Sequence, residues 1–167
     1  YVTITQSRGW LPNPVGGIVW LCWGSQDTSC YMPLYNGMTE IPRSFEVGDH
    51  WHFSRDSARW AFDYTDYHAQ LLYNLAIQDV RAAQLKYEKA AVDRTPNIDH
   101  WAADLHKKDP AEAARFLTDY CLGNANNVVT AWWTLGDQLL VKYNHQWIYD
   151  VQARKRLPVK YPDWYLK

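Results

Sequence analysis

The chain has 167 residues, long enough for one ordinary domain that buries roughly 70% of its unfolded surface. A formal charge of −1 leaves no basic footprint for nucleic acid or for an anionic lipid surface. Aromatic residues make up 16% of the chain, with ten Trp and twelve Tyr, which suits an aromatic-rich core, a large interface or an aromatic-lined pocket.

Residues Val2 to Gln6 alternate in the period-two pattern of a half-buried strand. Two prolines in Leu11-Pro12-Asn13-Pro14 predict a loop, and Gly16-Gly17 permits a tight turn. Ile18 to Trp23 is a nearly continuous apolar run, the mark of a strand buried on both faces, expected to pair antiparallel with the first. Ser29 to Tyr35 leads into a loop closed by Asn36-Gly37, with Pro33 and Pro42 restraining its aromatics. From Ser57 the rhythm changes: Trp60, Tyr64, Tyr67, Leu71 and Leu75 recur at steps of three and four and predict the core-facing stripe of a long helix. With no Gly or Pro before Pro96, that helix is expected from about residue 57 to about residue 91. A shorter helix fits residues 98–106. Asp109-Pro110 then caps another, expected to stop near Cys121 at Gly123-Asn124, and a last helix fits residues 126–143. The basic, aromatic tail from Asp150 reads as a surface strap. The chain divides into strands and loops over 1–55, helices over 56–148 and a tail over 149–167. No run approaches a membrane span, and no signal-like segment opens the chain. From its abrupt start in a strand at Tyr1, the beginning of a longer protein is expected upstream, and the chain reads as one domain or one part of a larger domain.

The chemistry-bearing residues offer no self-contained active site. His50 and His52 would share one face of a strand, but no third ligand lies near, so they read as ordinary polar residues and no metal is expected. Asp63, Asp66 and His68 sit in the first turns of the long helix, where acids favour the dipole. Cys22, Cys30 and Cys121 form an odd set without metal-ligand spacing, and their disulfide state is open. Cys30 lacks an adjacent base, and Ser29 lacks a Gly-x-Ser-x-Gly elbow.

Several segments nevertheless form a specific pattern: residues 16–20, Ser29-Cys30-Tyr31-Met32-Pro33-Leu34-Tyr35-Asn36-Gly37, Glu40-Ile41-Pro42, Ser57-Ala58-Arg59-Trp60-Ala61-Phe62, and later Ala131-Trp132-Trp133, Leu135-Gly136 and Leu140-Val141-Lys142-Tyr143. The pattern resembles the C-terminal portion of dipeptidase A-type cysteine peptidases. The resemblance implies an α+β chain forming part of an αββα N-terminal-nucleophile hydrolase sandwich. It also implies hydrolysis of dipeptides by a Cys at the mature N-terminus, whose α-amino group is the base. This chain begins with Tyr1, so the resemblance places the nucleophile upstream and assigns no catalytic residue here. Ser29, Tyr31 and Tyr35 are its candidates for lining the substrate pocket, because a loop leaving a strand end is where pockets are built. The partners implied are a dipeptide and the upstream half of the same protein, with room for a homo-oligomer and with no cofactor. Localisation leans to the periplasm or exterior, the cytoplasm being the alternative. The competing reading is a non-catalytic binding or assembly domain that keeps the peptidase scaffold.

Overall fold

A computed structural model describes residues 1–159. β1 (Val2–Ser7) and β2 (Gly17–Cys22) pair antiparallel from Val2 opposite Cys22 to Ser7 opposite Gly17. Between them the proline segment closes into one helical turn, α1 (Asn13–Gly16), whose first residue follows Pro12. A third strand, β3 (Met32–Tyr35), lies where the sequence suggested a loop, and it pairs antiparallel with β2. Pro33 is compatible with this because β3 is an edge strand in the order β1-β2-β3, so its missing donor need serve only one neighbour. After the short α2 (Arg43–Glu46), three long helices follow: α3 (Ala58–Leu71), α4 (Tyr73–Lys108) and α5 (Pro110–Lys142). A hairpin of β4 (Trp147–Asp150) and β5 (Lys155–Pro158) closes the described part. The result is a mixed α+β fold with strands first and long helices after, the arrangement expected of an αββα-like sandwich.

The helices differ from expectation at three places. The helix expected over 57–91 is broken at Leu72, whose backbone (φ −143°, ψ 58°) leaves the helical region while its carbonyl accepts from Leu75 and Ala76. The second piece passes straight through Pro96. Tertiary contacts override the proline there: Ala91 and Ala102 are buried on either side, and Asp99 is anchored to Arg8 and Tyr35. Asp109 caps α5 as expected, its Oδ1 accepting from the amides of Ala111 (2.9 Å) and Glu112 (3.2 Å). Gly123 does not end that helix, because Cys121, Ala125, Val128 and Trp132 keep one buried stripe running across it. In place of a strap, residues 147–158 form the hairpin; the remainder of the tail, 160–167, lies outside the described residues.

The face of α3 is the main correction. Its buried residues are Ala58, Ala61, Phe62, Thr65, His68 and Ala69, whereas Tyr67 and Leu71 of the expected stripe are 66% and 52% exposed. Close packing explains the choice. α3 and α5 approach so nearly that a Cβ on Gly136 would lie 2.4 Å from Tyr64 Cδ1, and the Thr65 hydroxyl donates to the Trp132 carbonyl at 2.8 Å. Small side chains and the edge of Tyr64 fit such a seam, and Tyr67 and Leu71 turn outward. Two cores result. One joins α3, α4 and α5 around Phe62, Val80, Val128 and Trp132, with Cys30 and Met32. The other joins the sheet to α4 and α5 around Val15, Ile18, Tyr35, Leu117 and Cys121.

Candidate functional site

The connection between β2 and β3, residues 23–31, carries two of the three candidate pocket residues, and the helices hold it from below. Thr28 donates to Asp66 of α3 at 2.7 Å, and Tyr73 of α4 donates to Asp27 at 2.8 Å. The Gln84 amide reaches the carbonyls of Asp27 (3.1 Å) and Ser29 (2.7 Å). Glu88 accepts from the Tyr31 amide at 2.9 Å, and Trp132 of α5 donates to the Thr28 carbonyl at 2.8 Å. A loop satisfied by side chains of three helices is fixed without a sheet ladder of its own.

Ser29 is buried, and its hydroxyl has no oxygen or nitrogen partner; it sits beside the Cys22 thiol. Tyr31 is half-buried, and its phenol is pushed up by desolvation, then by Cys22 and Glu88. These two therefore come together with Cys22, Cys30 and Glu88. Tyr35 does not join them. It stands at the far end of β3, about 13 Å along the strand, with its ring in the sheet–helix core. Its hydroxyl donates to Asp99 at 2.8 Å, and Asp99 also pairs with buried Arg8, whose other nitrogens donate to the carbonyls of Val15 (2.7 Å) and Gly16 (3.3 Å). Burial, then Asp99, pushes the Tyr35 phenol well above its usual range.

All three cysteines are free and buried. Desolvation raises each thiol. For Cys22 the Ser29 hydroxyl offsets this in part, for Cys30 Glu88 adds to it, and Cys121 is pushed up to about 11. Nucleophilic cysteines need the opposite surroundings, electropositive and accessible. None of the three is a thiolate at neutral pH.

His50 and His52 lie on an exposed loop. His52 Nδ1 contacts both oxygens of Asp49 (3.1 and 3.2 Å), and His50 Nε2 lies 2.6 Å from an Arg59 nitrogen. Among the described residues no group of three or more His, Cys, Asp or Glu could hold a metal ion. The larger clefts lie elsewhere. One of about 710 Å³ is lined by Thr39, Glu40, Ile41, Pro42, Arg43 and α5; another of about 690 Å³ lies between α4, α5 and the hairpin. The first brings the Glu40-Ile41-Pro42 segment onto a surface.

Glu88, Gln84 and the Arg8–Asp99 pair were not foreseen. Each acts across 55 to 91 residues of sequence, and no local pattern marks a helix Gln or Asp as the partner of a distant loop.

Residues 1–86, half of the chain, match the family model described as Peptidase family C69. The chain belongs to this family. C69 peptidases fall in the N-terminal-nucleophile hydrolase superfamily, which accords with strands followed by covering helices. The matched part includes the whole three-stranded sheet, the β2–β3 connection, α3 and the first third of α4. No curated protein matches the chain. Among the described residues no helix is long and apolar enough to cross a membrane.

Proposed function

We propose that this chain is the C-terminal portion of a dipeptidase A-type cysteine peptidase, which hydrolyses dipeptides through a Cys nucleophile located upstream of Tyr1. Membership in Peptidase family C69 carries the reading. The finer assignment is supported by the Ser29–Gly37 and Ser57–Phe62 segments and by the burial of all three thiols, which leaves the acyl-transfer step to a cysteine outside this chain. In this reading the upstream half brings the thiol and its α-amino base. The present chain supplies the β1-β2-β3 sheet, its helical cover and part of the pocket.

Ser29 and Tyr31 are the residues of this chain we place nearest substrate. They sit together where the β2–β3 connection enters β3, and the Ser29 hydroxyl, with no oxygen or nitrogen partner, has hydrogen-bonding capacity left for a ligand. Tyr35 enters as a positioning residue, since its hydroxyl is committed to Asp99 and its backbone fixes the end of β3.

The test is reconstitution. Alone, the chain is expected to hydrolyse no dipeptide above background. With the upstream half, in one polypeptide or as a second one, cleavage should appear and be abolished by thiol alkylation. Cys22→Ser, Cys30→Ser and Cys121→Ser variants that fold should retain it. Activity of the isolated chain that disappears with Cys30→Ser would refute the assignment.

A further inference from the structure

The outward aromatics of α3 form a concave corner that the peptidase reading does not use. Trp60, Asp63, Tyr64 and Tyr67 are one turn apart along the helix, and Phe53 folds over them from the preceding loop. Together they line a hollow of about 330 Å³ open to solvent, at the small end of the range for ligand sites. The Phe53 ring is 5.6 Å from Trp60 at 64° and 6.2 Å from Tyr64 at 47°, so the rings meet as the walls of a corner and not as a flat stack.

The corner is held in shape before any ligand arrives. Trp60 Nε1 donates to the Asp49 carbonyl at 3.0 Å. The same Asp49 ties the loop down by accepting from the amides of Trp51 (2.7 Å) and His52 (2.8 Å). Tyr64 donates to Asp137 at 3.1 Å and rests against the His68 ring at 4.3 Å. Rings fixed in this way need not be reordered on binding, which removes one cost of association.

Its chemistry is legible from what the protein itself places there. On the side toward α5, the Arg55 guanidinium lies 5.4 Å from the Tyr64 ring centre and 4.8 Å from that of Trp133. Phe53 packs on the same Trp133 ring at 5.8 Å. One side of the aromatic cluster thus already binds a cation. On the other side, among the described residues, no cation lies over the Trp60 or Tyr67 ring; the nearest, Arg59, is held at the edge by Asp63 Oδ2 (3.0 Å) and His50 (2.6 Å). What fits is a cation whose charge is spread over methyl groups, because it sheds water cheaply and presents a broad surface to the ring faces.

We propose that the aromatic side chains of Phe53, Trp60, Tyr64 and Tyr67 form a binding site for the trimethylammonium group of a small free ligand. Binding of choline to the full chain, followed by calorimetry, should saturate in the millimolar range and exceed that of its neutral isostere, 3,3-dimethylbutan-1-ol, by roughly tenfold. Ionic strength is matched with sodium chloride so that screening is equal in both arms. Tyr67→Ala should weaken choline binding several-fold with an unchanged circular dichroism spectrum, since Tyr67 is 66% exposed and outside both cores. Trp60→Leu should do the same. Equal binding of the neutral isostere, unchanged choline affinity in Tyr67→Ala, or no saturation up to about 0.1 M choline would each overturn the proposal. Binding to choline-headgroup lipid vesicles without binding of free choline would overturn the free-ligand assignment.

Discussion

Two glycines of α5 should respond in opposite directions to the same substitution. Gly123 and Gly136 both lie inside the helix, where replacing Gly by Ala is worth about 1 kcal/mol in backbone propensity. At Gly123 the new Cβ meets nothing within 4 Å, so Gly123→Ala should stabilise by about that amount. At Gly136 it would lie 2.4 and 2.7 Å from Tyr64 ring carbons and 3.1 Å from Thr65 Oγ1. The ring cannot swing aside freely, since its hydroxyl is bonded to Asp137 and the ring packs at a tilt on Trp133 at 5.4 Å and against His68 at 4.3 Å. Thr65 is fixed by its bond to the Trp132 carbonyl. Relief therefore comes from separating α3 and α5, an overpacking cost of about 1–3 kcal/mol or more. The net effect of Gly136→Ala should be a loss of up to about 2 kcal/mol, and the two variants should differ by the overpacking cost, about 1–3 kcal/mol. Urea unfolding followed by tryptophan fluorescence measures both, with an unchanged slope showing that the unfolded states are comparable. In the double variant Gly136→Ala/Tyr64→Ala the clash partner is gone, so the alanine at 136 should cost much less than it does with Tyr64 present. If Gly136→Ala proves as stabilising as Gly123→Ala, the tight α3–α5 seam is wrong, and with it the reason for which face of α3 is buried.

Three further outcomes are expected. Trp132→Ala, which empties a fully buried site and strips the Thr28 carbonyl of its donor, should cost about 3–5 kcal/mol, whereas half-exposed Trp60→Ala should cost distinctly less in the same unfolding assay. Cys22, Cys30 and Cys121 should resist an aromatic disulfide reagent at pH 8 in native protein and react fully in denaturant; rapid native labelling would contradict their burial and raised thiols. The Arg55 guanidinium, bonded to Asp137, holds that carboxyl below its ordinary value, so the unfolded chain binds the proton more tightly. The contribution is full above about pH 4 and is lost as pH falls through the depressed folded value. Acid titration of stability should accordingly show a shallower loss in Asp137→Asn than in the parent chain.

Local signals placed the elements that local chemistry controls. Alternation in Val2–Gln6 and the apolar run at Ile18–Trp23 gave the antiparallel β1–β2 pair but not its burial, since β1 is largely exposed and only Ile18 and Cys22 of β2 are buried. Asp109-Pro110 gave the start of α5, because a cap is decided within a few residues. Pro33, Pro96 and Gly123 were misleading for one shared reason. Each carries a local penalty of at most a few kcal/mol, and each is overridden by partners distant in sequence: Trp20 opposite Pro33, Arg8 holding Asp99 just past Pro96, and the core stripe continuing across Gly123. The break at Leu72 has no such marker in its own sequence.

The α3 stripe shows why hydrophobic periodicity can identify a helix and still miss its buried face. Two stripes at helical spacing coexist there, one of large aromatics and one of Ala61, Phe62, Thr65 and Ala69. Ranked by hydrophobicity the aromatic one should turn inward. Burial, however, is decided by how closely the partner helix comes: Gly136 lets α5 close on Thr65 and the edge of Tyr64, which leaves Tyr67 and Leu71 outside the contact. The same geometry ties the two functional surfaces to one cause. The small-residue face of α3 draws α5 in, bringing Trp132 beneath the Thr28 carbonyl, which fixes the loop bearing Ser29 and Tyr31. The outer face displays Trp60 and Tyr67, with Tyr64 at the margin of the seam, as a preformed aromatic corner. A change that loosens the α3–α5 seam should therefore disturb the β2–β3 connection and the proposed cation site together. Tyr67→Ala, on the outer face alone, should affect only the cation site. That contrast separates a shared structural origin from two independent sites.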